Sequence, residues 1–455
     1  MPCQLQKRGR VAPFSQPWYN APIFSEGGVD RMSSDRGRIW MPLDNAALIF
    51  PAIRRKNWNN VFRESVTLIE DVDPVLLQRA VDDLMPRFPS FYLRLRRGVF
   101  WYYLEEVAAP PQIQEDYAYP LTFVTGREMS RCCLRVLHYK NRIAVEYFHV
   151  LSDGGGAMVY LKTLVARYLA LRYGADIPPT DGVLDLHDAP DPEELEDSFQ
   201  RCAADHPAFC PEAEAYRLPG KRELGRFMRL ITGEVPAKDL HALAREYGCT
   251  VTVLLAAIMA ECVLSIQAEQ VPPQRQKPVK ITIPVDLRRL FPSRTLRNFA
   301  LTVNPGVDPR LGTYTLRELC DAFTHQLAAE ITPQRMAGRI AQNVAPQKSK
   351  LLKAVPIFLK TPVMRAVYNR RGERLGCLNI SNLGVQKLPA AMVPYMARME
   401  FIIGVQYSYP NNCSVVTCGG TTIVNMIRST KSPELERRFF SRLVELGVPV
   451  TIETN

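Results

Sequence analysis

The chain has 455 residues, 47% hydrophobic and 23% charged, enough to bury a large core and, by length, to form two or three domains. Its formal net charge of +11 comes from basic residues dispersed among acids, and no RNA- or DNA-recognition motif accompanies them, which argues against a nucleic-acid partner. Eleven cysteines, with Cys132 beside Cys133 and no CxxC pair, indicate neither a disulfide framework nor a zinc site and fit a reducing cytoplasm.

Residues 1–13 carry Lys7, Arg8 and Arg10 without a following apolar stretch, so no secretory signal is expected there. Val66, Thr67, Leu68 and Ile69 read as strand, and Asp73-Pro74 opens a helix with Leu77, Ala80, Val81 and Leu84 on one stripe. Residues 134–138 and 143–149 alternate and are rich in branched and aromatic side chains, which predicts a β-hairpin closed by His149. Ile143, Val145, Tyr147 and His149 fall on one face by the two-residue period, so the imidazole continues an apolar row. After Gly154, Gly155 and Gly156 a helix begins, with Met158, Leu161, Leu164, Val165, Tyr168 and Leu169 at helical spacing to Ala170.

Around residues 186–205 the chain turns acidic and loses its pattern, which places a linker over 186–219 between subdomains 1–185 and 220–455. In the second, a helix over 237–247 stops at Gly248, and Thr250 opens a largely buried one. The apolar run 251–260 is cut by Glu261 and falls short of the ~20 residues a membrane span needs, so no span is expected. A strand follows over 281–285. Thr315 and Glu318 form a capping-box pattern, and Ser432-Pro433 opens a helix with Leu435, Phe439, Leu443 and Leu446 that Gly447 ends. Both subdomains are mixed, so the fold class is α/β, an α+β two-layer sandwich.

The chemistry concentrates at His149 and, four residues on, Asp153-Gly154. A neutral imidazole titrating near working pH suits a general base, worth about 10² to 10⁴ in rate. By spacing alone Asp153 would orient His149. The competing reading is a hydrogen-bonded structural histidine, with glycines that let the chain turn. HExxH, GxSxG, GxGxxG and Walker motifs are absent, and His138, His187, His206, His241 and His325 show no ligand-like spacing, so no metal site is expected. Arg288, Arg289, Arg294 and Arg297 cluster, as do Arg365, Arg370, Arg371 and Arg374. Such groups are solvated surface or face coenzyme A phosphates, an acidic carrier protein or anionic lipid.

The run from His149 to Gly154 resembles the HxxxDG motif of the chloramphenicol acetyltransferase-like superfamily, which includes alcohol acetyltransferases, BAHD enzymes and peptide-synthetase condensation domains. Asp286-Leu287-Arg288 resembles its second marker. Further similarity lies in residues 243–250, in Arg297-Asn298-Phe299 and in Ser381-Asn382-Leu383-Gly384, so it spans most of the chain in order. Where many members carry a first histidine, Phe148 stands here. The resemblance implies two similar subdomains with mixed sheets and a channel between them, His149 at its middle as general base. It also implies an Asp153–Arg288 ion pair bracing the loop, with Gly154 keeping the channel or turn clear. Asn298, Ser381 and Asn382 become oxyanion or channel candidates.

The implied activity is acyl transfer from acyl-CoA, or from a pantetheine thioester on an acyl carrier protein, to a small alcohol or amine. The thioester is then a co-substrate, with no permanently bound cofactor. The alternative is a binding or scaffolding member of the same fold without turnover.

Overall fold

The computed structural model describes residues 39–54, 60–121, 125–207, 212–224, 227–372, 374–406 and 409–455. The residues 1–13 read above for a secretory signal lie outside these.

The alternating segments of the first half pair as an antiparallel core. β6 (Leu134–Tyr139) and β7 (Arg142–Phe148) form the hairpin, and β7 pairs on its other side with β2 (Val61–Leu68). β5 (Gln114–Glu115) joins β6 in parallel. The opposite edge is filled by β13 (Met396–Ile403), which runs antiparallel to β2 although it belongs to the sequence half beginning at residue 220. The sheet order is therefore β13-β2-β7-β6-β5.

α2 (Pro74–Leu84) and α4 (Gly154–Tyr173) pack together, and α4 packs on β2 and β7. Asp73 caps α2 by accepting from the backbone N–H of Val75 and Leu76, a contribution of about 1 kcal/mol. The apolar stripe of Leu77, Ala80, Val81 and Leu84 is wholly buried. A small sheet of β1 (Trp40–Pro42), β4 (Tyr102–Glu106) and β3 (Leu93–Arg97) and the short helices α1 (Phe50–Ile53) and α3 (Gly126–Met129) complete this half.

The second sheet runs β10 (Ala300–Val303), β9 (Val279–Asp286), β12 (Leu378–Val385), β14 (Asn411–Cys418), β15 (Thr421–Arg428), β8 (Arg229–Pro236) and β16 (Thr451–Thr454). A short β11 (Gly306–Val307) pairs beside β9. Its β9–β12 and β12–β14 pairings are parallel and the rest antiparallel, so the sheet is mixed.

Three side chains of the second half reach the first sheet: Ser414 Oγ and Asn425 Nδ2 both donate to the carbonyl of Phe401 on β13, and Asn412 Nδ2 donates to that of Gly404. α6 (Ala237–Glu246), α7 (Val251–Gln270), α8 (Leu316–Glu330) and α12 (Glu434–Glu445) cover the second sheet. Among the described residues α7 is the one helix long and apolar enough to cross a membrane. It runs past Glu261 to Gln270 as core, packed on β9, α8 and α12.

The 186–219 segment is packed against both halves. Glu194 is buried in a bidentate pair with Arg87 of the first half, at 2.6 and 2.8 Å, while its carbonyl accepts from Leu296 N of the second. In α5 (Ser198–Cys202), buried Phe199 packs edge-on against Phe299. Its acids read as linker because the arginine that buries one of them lies 107 residues away. Beyond α8, the helices α9 (Pro333–Lys348), α10 (Lys350–Ala354) and α11 (Ile357–Arg371) form an arm that returns to α1.

Candidate active site

β7 ends at Phe148, and His149 occupies the turn directly after it, held to the neighbouring chain by a bond from its N–H to the carbonyl of Asn60. The ring is half-buried, stacked on Phe50 of α1 at 4.6 Å and edge-on to Phe62 of β2 at 5.0 Å. Burial lowers its pKa below the ordinary 6.5, against a smaller opposing pull from Asp153, so the neutral ring is favoured.

The partner of the ring is Asn298. Its Oδ1 lies 2.8 Å from His149 Nδ1, while its Nδ2 bonds the carbonyl oxygen of His149 at 2.9 Å and Oδ2 of Asp44 at 3.0 Å. A backbone carbonyl only accepts, so that amide nitrogen is the donor and Oδ1 must face the ring. Nδ1 therefore carries the hydrogen and Nε2 presents a lone pair. Both amide hydrogens of Asn298 are engaged, which leaves none for an oxyanion. Asp44 is wholly buried, accepts from Ala47 N at 2.8 Å and lies 3.6 Å from Arg297 Nε.

Asp153 turns away from this ring. Its Oδ2 accepts from Arg288 Nη1 at 2.9 Å and from Phe299 N at 2.8 Å, and its Oδ1 from Gly156 N at 3.1 Å. Arg288 is held in turn by the carbonyls of Thr295 and Arg297 and by Asp286. Burial opposes the carboxylate, but Arg288 and these bonds hold the Asp153 pKa below its ordinary value. The structure thus joins His149 to Asn298 and Asp153 to Arg288, two bridges from the first half of the sequence to the second.

Asp153 is also the N-cap of α4, which begins at Gly154 and not after Gly156. None of Gly154, Gly155 and Gly156 has a positive φ, so they are not there to let the chain turn. What they permit is close approach. A Cβ on Gly156 would stand 2.1 Å from the carbonyl oxygen of Leu296, and one on Gly154 would stand 2.7 Å from Leu383 Cδ2.

Ser381 and Asn382 lie on β12 immediately before that Leu383. Asn382 donates to Thr252 Oγ1 and accepts from Gly384 N, and neither residue hydrogen-bonds His149. Phe148 is buried in the core of the first half.

Glu64 on β2 escaped the sequence reading, since one acid in an alternating strand looks like a solvent-facing residue. It is wholly buried, and neither carboxyl oxygen has a hydrogen-bond partner among the described residues. Its Oε1 would lie 3.6 Å from a Cβ on Gly154. Burial and the nearby Asp153 push its pKa well above 4.5, against a weaker pull from Lys162, which favours the neutral acid behind the motif.

These sheets and their connections form the mixed α/β fold of solved acetyltransferases and condensation domains. The chain is similar to TRI101 of Fusarium sporotrichioides, solved complexed with coenzyme A and T-2, at 9% identity and TM-score 0.58 over 91% of this chain and 99% of that one. TRI3 trichothecene 15-O-acetyltransferase of the same organism matches at 11% identity and TM-score 0.57, over 91% and 96%. The first condensation domain of the CDA synthetase matches at 12% and 0.56, over 90% and 96%. No protein-family model matches the chain, and no curated protein sequence does.

Proposed function

We propose that the protein is an acyltransferase that moves an acyl group from acyl-CoA, or from a pantetheine thioester on a carrier protein, to the hydroxyl or amine of a small acceptor. The observation that carries this reading is the His149–Asn298 bond, which makes Nε2 the basic nitrogen of a half-buried ring. In the reaction, Nε2 takes the acceptor's proton as its oxygen or nitrogen forms a bond to the thioester carbonyl carbon. The tetrahedral intermediate collapses by breaking the C–S bond, and the imidazolium returns the proton to the departing thiolate. Asp153 and Arg288 touch no reacting atom in this scheme. They brace the turn that carries the ring.

Support comes also from the structural neighbours, one a trichothecene 15-O-acetyltransferase and another solved with coenzyme A. Donor and acceptor would meet at His149 from a channel between the halves, with Ser381 and Asn382 near it on β12. The cysteine usage supports a reducing, cytoplasmic setting. The test is thiol release from a panel of acyl-CoA donors with alcohols and amines, for wild type and His149→Ala. Release that depends on both acceptor and His149 supports transfer. Equal release by the two proteins would show a binding member of the fold instead.

A further inference from the structure

α11 packs one side on α1 and leaves an apolar face open on the other. Ile357 is buried, Arg365 donates to the carbonyl of Ala52 on α1, and the helix packs along α1. On the outer side Phe358, Leu359, Val363 and Val367 recur at helical spacing and face solvent, Phe358 at 60% and Val363 at 62% exposure. Leu351 and Leu352 on α10 are exposed as well. Soluble proteins rarely leave a continuous apolar face open.

The surface continues onto a second element. The tip between β3 and β4 exposes Val99, Phe100 and Trp101, and it is tied to the arm by Ile357 N donating to Val99 O at 2.8 Å and Lys360 Nζ to Phe100 O at 3.0 Å. The charge along the arm has one sign. Between Glu330 and Glu373 the sequence contains no acid, while its lysines and arginines from Arg335 to Arg371 number nine. Of these, Arg335, Lys348, Lys353 and Arg370 are exposed, Arg335 being paired with Glu330. Open aliphatic and aromatic side chains on a helix and a neighbouring loop tip, along a stretch of chain whose own charges are all cationic, match the chemistry of an anionic bilayer surface.

We infer that the α10–α11 arm and the β3–β4 tip form an interfacial membrane-binding surface for anionic lipid. The apolar face enters the headgroup and acyl boundary, Trp101 sits at headgroup level, and the cations of the arm meet lipid phosphates. The arm rests on α1, whose Phe50 stacks on His149, so the docked bilayer lies one helix away from the imidazole. The surface is independent of the catalytic reading and stands or falls without it.

Co-sedimentation of the full chain with phosphatidylcholine vesicles containing about a third phosphatidylserine tests it, with pure phosphatidylcholine vesicles as the comparison. Wild type should bind the anionic vesicles and lose much of that binding at about 0.5 M salt. The exposed quadruple variant F358S/L359S/V363S/V367S should bind about tenfold more weakly or worse at unchanged melting temperature. A second variant, K353E/R370E, should lose the preference for anionic vesicles. Absence of wild-type binding, equal binding by wild type and both variants, or a wild-type dimer that the quadruple variant turns into a monomer would each overturn the proposal, the last by showing a second copy as the occupant.

Discussion

Asn298 Oδ1 accepts from His149 Nδ1 across 149 residues of sequence, and that bond decides which ring nitrogen is basic. Asn298→Ala should leave the ring free to rotate and exchange tautomers. We expect a fall of about 10²-fold in kcat, at the lower end of what general-base help supplies, with KM little changed. His149→Ala should lose more. Because burial lowers the His149 pKa, the acid limb of the wild-type kcat/KM profile should lie below pH 6.5. A limb centred above 6.5 would contradict the site described.

The Asp153–Arg288 pair predicts a different signature. Asp153 accepts three hydrogen bonds, so Asp153→Ala leaves Phe299 N and Gly156 N without this acceptor and takes one of two carboxylate partners from Arg288. Removing one member of a buried pair costs about 3 to 5 kcal/mol, read as a fall in unfolding free energy in urea. Asp153→Asn retains an acceptor and should cost less. The folded-state pKa of Asp153 is depressed, so its contribution is complete above the unfolded value near 3.8 and is lost as pH falls through the folded one. The stability difference between wild type and Asp153→Asn should therefore shrink in acid.

Local patterns were readable where the deciding partners were close in sequence. The β6–β7 hairpin, the Asp73 cap of α2 and the Thr315–Glu318 capping box depend on neighbours within a few residues, and each stands where alternation or helical spacing put it. Long-range pairings were not readable from pattern. β13 joins β2 because a sheet edge in the first half is completed by a strand more than 300 residues later, and no periodicity encodes that. Within the site, spacing alone would give Asp153 to the ring; the family resemblance points to the Asp153–Arg288 pair, which is present, but nothing in the sequence says that Asn298 serves the ring. The glycines misled for a related reason. Their backbone is ordinary helix, and what they avoid is a clash with Leu296 and Leu383, remote segments that only folding brings near.

Gly154 and Gly156 should accordingly respond differently to alanine. At Gly156 the new methyl meets the backbone carbonyl of Leu296, which cannot rotate away, so Gly156→Ala should destabilise by about 3 kcal/mol in spite of alanine's better helix propensity. At Gly154 the obstacle is the far end of the Leu383 side chain, which can move. Gly154→Ala should fold with a melting temperature near that of wild type. Thermal unfolding of the two variants side by side checks the contrast.

Phe148 stands where many proteins with this motif have a histidine, and restoring that histidine should not help. Its ring is part of the hydrophobic core, so Phe148→His would place an imidazole there at the cost of burying a polar group, about 1 to 3 kcal/mol. Lower stability with no gain in turnover is the expected result. A gain in kcat would mean that this position reaches the reacting atoms.

Glu64 is a buried acid whose ionisation folding opposes. In the unfolded chain it ionises near pH 4.5, whereas in the folded protein burial beside Asp153 keeps it protonated to much higher pH. The unfolded state therefore loses its proton first, and this group's effect on stability becomes steadily more unfavourable as pH rises above 4.5, by at most about 1.4 kcal/mol per pH unit. Glu64→Gln keeps the shape and removes the titration. The variant should match wild type near pH 4.5 and become the more stable protein by pH 8, a difference that urea unfolding at the two pH values would show. A stability gap that does not change with pH would mean that Glu64 ionises in the folded state after all, balanced by a counter-charge or by solvent reaching the space behind Gly154.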